Sequence, residues 1–247
     1  MTMTRPAVLV PIRVLEGESI PGGVPELLAN AHVVLLGYHV VPEQTAPGQA
    51  RMQFEERAVE RLDEYEAMLT DAGASVERRL VFTHDAQQTI DRQIYEHDCL
   101  AALVPNATGA VEDVLVAVRG TVGSDRLAQV VAGLFGPTEA TVTLYHVAAD
   151  DETDEDAETL LDGLVGRLES LGLDPGRIVT RIEREGDAFE AIVDAAADAD
   201  AVVMGETDPS LATFVFGMPA DQVAERFLGP VLVVQRERPE TGGESGE

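Results

Sequence analysis

The residues best placed to do chemistry are Arg119, Gly120, Thr121, Gly123 and Ser124. They follow an apolar run, Val114-Leu115-Val116-Ala117-Val118, and lead into a stretch with helical spacing. A guanidinium at a strand end, beside the N–H groups of a helix start, can hold a small anion. The same residues also suit a purely structural role. In that case the glycines shape a turn, Ser124 caps the helix and Arg119 pairs with one of the 45 Asp and Glu residues. Other residues offer less. Asp150–Glu158 holds seven carboxylates in nine residues, but lacks the glycine and ligand spacing of a calcium loop and reads as a solvated acidic loop or helix start. His39 and His146 end matching runs, which points to structural equivalence. Five scattered histidines and one cysteine make no zinc site, and Cys99 opens a buried strand as a core residue. No Gly-x-Ser-x-Gly elbow, Gly-x-Gly-x-x-Gly loop or glycine–lysine phosphate loop is present, so no catalytic or metal residue is assigned.

The elements that must position these residues occur twice. Val8-Leu9-Val10-Pro11-Ile12-Arg13 matches Val114-Leu115-Val116-Ala117-Val118-Arg119 at an offset of 106. Tyr38-His39-Val40 returns as Tyr145-His146-Val147, and Asp85-Ala86 with Ile90 as Asp187-Ala188 with Ile192. The chain therefore divides into a first unit, 1–105, and a second, 112–236, followed by an acidic tail over 237–247 expected to be disordered. In the first, continuous apolar runs predict strands over 7–12, 32–41, 76–82 and 99–104. Val59, Leu62, Tyr65 and Leu69 mark an amphipathic helix between 49 and 72 that Gly73 stops, and 85–96 is a second helix. The second unit reads as strands over 113–118, 140–148, 177–183 and 201–205 with helices over 124–134, 157–171 and 187–198. It then adds a helix over 221–227 and a fifth strand over 231–235, which the first unit lacks. Such alternation gives parallel sheets with helices on both faces, and ligands bind beyond the carboxyl ends of the strands.

Composition narrows the partners. The 247 residues carry 17 Lys and Arg against 45 Asp and Glu, a net charge of −28, and all 17 cations are arginine. Nucleic acid and anionic membranes are repelled by such a surface. The acidic excess without lysine resembles proteins of salt-accumulating halophiles, because molar salt shortens the Debye length to about 3 Å. No apolar run reaches the ~18 residues of a membrane span and the first residues hold no signal-peptide core, so a cytoplasmic location without membrane insertion is expected.

The end of the second unit resembles the universal stress protein family. Met204-Gly205, a loop, Phe216-Gly217, a short helix and then Gly229-Pro230-Val231-Leu232-Val233-Val234 follow its closing pattern. Leu115–Gly120, Leu9–Arg13 and Gly186-Asp187-Ala188 echo its opening strand and a later helix entry. The resemblance implies an α/β fold of two tandem open parallel-sheet units, adenine nucleotide alpha hydrolase-like and Rossmann-like, the first lacking the last helix and strand. It also implies a nucleotide site, here at Arg119, Gly120, Val147, Met204, Gly205, Gly217 and Met218. That site departs from the family pattern. Asp208 stands at the middle glycine, Met218 replaces the hydroxyl residue, and Arg13 and Arg119 replace the strand-one aspartate. Extra carboxylates at Asp208 and Asp221 oppose phosphate. The expected function is a non-enzymatic stress-response regulator with a degraded ATP motif and no cofactor. The alternative is an adenine-nucleotide (ATP or AMP) sensor or slow nucleotidase using Arg119 and the Gly205–Gly217 loop. A transporter or other regulatory client is the implied partner. Val231–Val234, read as an open edge, is expected to form a homodimer.

Overall fold

The computed structural model describes residues 5–120, 123–184, 187–205 and 229–236. The first half contains β1 (Ala7–Arg13), α1 (Val24–Leu27), β2 (His32–Val40), α2 (Pro47–Ala72), β3 (Ser75–Thr83), α3 (Ala86–Glu96) and β4 (Ala101–Val104). The second contains β5 (Asp113–Val118), α4 (Ser124–Phe135), β6 (Thr141–Val147), α5 (Asp154–Ser170), a 3-10 turn at Pro175–Arg177, β7 (Ile178–Glu183), α6 (Ala188–Ala196), β8 (Ala201–Gly205) and β9 (Val231–Val234). The anticipated helix over 221–227, the Gly217-Met218 segment and the tail over 237–247 lie outside the described residues.

The nine strands of the described residues join one sheet in the order β3-β2-β1-β4-β9-β8-β5-β6-β7. Every neighbouring pair is parallel except β4 with β9. Successive side chains of a strand point to opposite faces, and both faces are covered here. Val8, Val10, Val33 and Leu35 meet α1 and α2 on one face, in a core that continues through Val114, Val116, Leu127 and Leu161 of the second half. On the other face Leu9, Val34 and Leu36 pack with Ile90 and Ile94 of α3, while Leu115 and Ala117 pack with Ile192 and Ala196 of α6. This explains why the strands read as unbroken apolar runs.

The expectation of an open edge at Val231–Val234 is overturned. β9 lies inside the sheet, with Val231 to Val234 opposite Val104 to Ala101 on one side and Val202 to Gly205 on the other. Its four residues are at most 2% exposed. The backbone groups that were to pair with a second copy are satisfied by the chain's own β4, so the dimer expected through this strand has no free edge to use. The outer edges are β3 and β7 instead.

The linker locks the seam. Thr108 donates its backbone N–H to Gly22 and its hydroxyl to the Asp200 carbonyl, at 3.0 Å each. Asn106 donates to the Gly229 carbonyl at 3.2 Å. The Asp200 carboxylate accepts the N–H groups of Glu112 and Asp113, at 2.8 and 2.9 Å. Gly229 is required here, because a Cβ would lie 2.4 Å from the Asp200 carbonyl oxygen. Two short elements escaped the sequence reading, α1 and the 3-10 turn at Pro175–Arg177. α1 is a single turn opened by Pro25, too brief to display a periodicity.

Candidate functional site

A parallel sheet binds ligands where the strand order reverses, beyond the carboxyl ends. This sheet has two such places, between β1 and β4 and between β5 and β8. Because β4 and β9 are antiparallel, the two crevices open at opposite ends of the sheet.

In the second half the register gathers most of the expected site. Ala117 stands opposite both Tyr145 and Met204, and Arg119 follows the last residue of β5. Val147 ends β6 and Gly205 ends β8. The side chains of Val147 and Met204, however, are 7% and 1% exposed and belong to the core under α6, where they support the strand ends from below. Arg119 and Gly120 are exposed, and Gly120 adopts φ 68°, a conformation suited to glycine. Gly123 (φ 80°) is the N-cap of α4 and makes no side-chain cap. Ser124 is therefore the first helical residue and not the cap. Gly217 and Met218 lie outside the described residues.

Behind these loops sits His146, 3% exposed. Its Nδ1 is 2.8 Å from the Val118 carbonyl and its Nε2 3.0 Å from Glu152 Oε1. Glu152 Oε2 also accepts the Ala149 N–H at 3.1 Å. The histidine thus ties the end of β5 to the loop after β6. The equivalence with His39 does not hold in space. His39 sits between Phe54 and Phe82, ring centroids 5.9 and 6.0 Å away, with Glu16 at 3.9 Å.

Among the described residues a crevice also lies in the first half, at residues the sequence reading did not select. It encloses about 440 Å³, within the range of small-molecule sites. Ile90, Val104 and Pro105 give it apolar walls, and Arg13, Glu18, Tyr38 and Gln87 supply polar groups. Parallel register sets Arg13 opposite Tyr38, and the guanidinium Nε donates to the Tyr38 hydroxyl at 3.1 Å. Arg13 Nη1 meets Glu16 at 3.4 Å, and its Nε is 3.6 Å from Glu18 Oε1. The backbone N–H of Arg13 donates to Glu18 Oε2 at 2.6 Å, while the Tyr65 hydroxyl donates to the Glu18 carbonyl at 2.8 Å and pins the loop to α2. The Tyr38 bond, and then the carboxylates, hold Arg13 above its ordinary value, whereas burial raises Tyr38. The available signal was Glu16-Gly17-Glu18-Ser19 directly after a strand-end arginine, a turn with two carboxylates in reach of it.

The same architecture occurs among known proteins. A crystal structure of a universal stress protein from Archaeoglobus fulgidus DSM 4304 superposes with a TM-score of 0.61 over 93% of this chain and 96% of that one, at 19% identity, and shares the fold. Universal stress protein G of Salmonella typhimurium is 34% identical over 106 residues, 40% of this chain and 72% of that protein. Residues 111–235 match the sequence signature of the Universal stress protein family. With half of its length matching that signature, the chain belongs to the universal stress protein family.

Proposed function

We propose that this protein is a non-catalytic regulator of the stress response, cytoplasmic, with a degraded ATP motif, acting on a transporter or other client protein. The observation that carries the reading is the set around Arg13. Its ionisable neighbours Glu16, Glu18 and Tyr38 are engaged with the guanidinium or with backbone, and none is paired as a nucleophile with its base. In the second half, Asp208 and Met218 replace a glycine and a hydroxyl residue that would serve phosphates.

A second reading, an ATP or AMP sensor or slow nucleotidase, draws support from α4, whose N-cap Gly123 supplies no side-chain cap to the helix start near Arg119. Calorimetric titration of ATP and AMP in molar KCl, with phosphate release measured in parallel, decides between them. The regulator reading expects no saturable heat and no phosphate. Saturable binding weakened about tenfold by Arg119→Ala establishes the sensor.

The acidic surface supports a protein adapted to high salt. Its melting midpoint is expected to fall as KCl is lowered from molar to about 0.1 M, where the Debye length is about 10 Å; an unchanged midpoint overturns this.

A further inference from the structure

We propose that the first-half crevice, at the carboxyl ends of β1 and β4, binds a small zwitterion, an α-ammonium carboxylate with an apolar body, and turns phosphates away. This goes beyond the regulator reading and is independent of what the second half binds, since the two crevices open at opposite ends of the sheet.

Three observations carry it. The first is an unused donor. Tyr38 accepts from Arg13 Nε, so its own O–H remains to donate, and no acceptor for it exists among the described residues. The side chain is 7% exposed and lines the cavity. A buried hydroxyl in a ligand-sized cavity calls for an acceptor from the ligand. A carboxylate there accepts a hydrogen bond from the Tyr38 O–H and faces the Arg13 guanidinium as well.

The second is an unused acceptor. Glu18 Oε2 is engaged by the Arg13 backbone N–H, but Oε1 stands 3.6 Å from Arg13 Nε and accepts no hydrogen bond among the described residues. An ammonium group beside the ligand carboxylate meets Glu18 Oε1. The apolar remainder of the ligand then lies against Ile90, Val104 and Pro105.

The third is the charge balance. Glu16 and Glu18 outnumber the single guanidinium, so a phosphate dianion is opposed by two carboxylates for one cation. The first half also lacks a long helix after β1. Where the second half starts the 12-residue α4, the first runs through the carboxylate-bearing loop to the four-residue α1. The helix start that lines the crevice, Ala86 and Gln87 of α3, is already capped by the Asp85 carboxylate, which accepts the Gln88 N–H and adds a third negative charge near the site. A net-neutral ligand escapes both this repulsion and the overall charge of −28.

The test is calorimetric titration in molar KCl with L-phenylalanine, L-leucine, 3-phenylpropionate, phenethylamine and AMP. Saturable binding of at least one of the two amino acids is expected. For L-phenylalanine, the analogues lacking the ammonium or the carboxylate should bind at least about tenfold more weakly, as should AMP. Tyr38→Phe keeps the buried ring and Glu18→Gln keeps the loop's size, and melting curves of both verify the fold. Each is expected to weaken the amino acid about fivefold or more, whereas Arg119→Ala leaves it unchanged. Failure of both amino acids to saturate, AMP binding that Tyr38→Phe weakens, or amino-acid binding unaffected by Tyr38→Phe each overturns the proposal. Nucleotide binding sensitive only to Arg119→Ala would instead bear on the second half and the regulator reading.

Discussion

Leu103 of β4 and Leu232 of β9 stand opposite one another across the one antiparallel pairing in the sheet, and both are 0% exposed in the same core. Each Leu→Ala change removes a fully buried side chain and leaves a cavity, which costs about 3 kcal/mol. For a chain of this length that lowers the melting midpoint by about 10 °C. The informative quantity is the coupling. Once Leu232 is truncated, Leu103 has already lost its cross-strand partner, so Leu103→Ala does less further harm. A coupling of about 1 kcal/mol is expected between the two. Urea unfolding in molar KCl, followed by circular dichroism for the wild type, both single variants and the double variant, supplies it, and repeating the series over a wide concentration range tests its origin. If β9 pairs within its own chain, the midpoint does not move with concentration. Additivity of the two changes within about 0.3 kcal/mol, or a midpoint that climbs with protein concentration, would refute the intrachain seam.

Further predictions concern polar groups in the core and at the seam. His146→Phe keeps the volume but leaves the Val118 carbonyl and Glu152 without the ring, at 2.8 and 3.0 Å in the wild type; a loss of about 3 kcal/mol is expected in thermal unfolding, and one under about 1 kcal/mol contradicts the tie. Burial first, then Glu77 and Asp98, pushes the Cys99 thiol from 9.0 up to about 12. The folded state therefore keeps the proton that the unfolded chain releases. The contribution is complete below about pH 9 and is lost as pH rises through about 12, so between pH near 8 and near 11 the wild type should lose more stability than Cys99→Ser. Equal losses would contradict it. Asp200→Ala removes the acceptor of two backbone N–H groups, so amide exchange at Glu112 and Asp113 should accelerate, with a stability loss of about 2 kcal/mol; unchanged exchange would rule out the clasp.

Most elements were legible because their signals are local. Val8–Ile12 and Val33–Leu36 are apolar without interruption, as strands covered on both faces must be, and α2 shows Leu62, Tyr65 and Leu69 at helical spacing. What failed depended on register and partner choice. The repeat sets Tyr38 level with Tyr145, yet Tyr38 stands opposite Arg13, whereas Tyr145 stands opposite Ala117 and carries Arg181 over its ring at 5.2 Å. Matching tripeptides therefore land at different heights relative to Arg13, which ends β1, and Arg119, which follows β5. The same limit applies to β9. Four apolar residues specify a buried strand, but nothing in Val231–Val234 names Ala101–Val104 as its second neighbour. Arg13 was visible as a substitution in a familiar motif, but its crevice required knowing that Glu18 folds back onto its own strand.

The seam also explains how a four-strand unit and a five-strand unit form one sheet. Alone, the first half would expose the free edge of β4, and the second would expose the outer edge of β9. Each is the kind of flat apolar edge that recruits another strand. Pairing them within the chain satisfies both at once and, among the described residues, leaves β3 and β7 as the edges. Those two carry charge along their length. Glu77, Arg78 and Arg79 lie on β3, with Arg78 paired to Asp63 and Glu66 of α2, and Arg181 and Glu183 lie on β7. Charged outer edges oppose strand addition, and the apolar strand with the greatest tendency to recruit a partner is enclosed at the centre. A chain engineered to release β9 from β4 should therefore gain self-association, read as a mass that rises with concentration in light scattering.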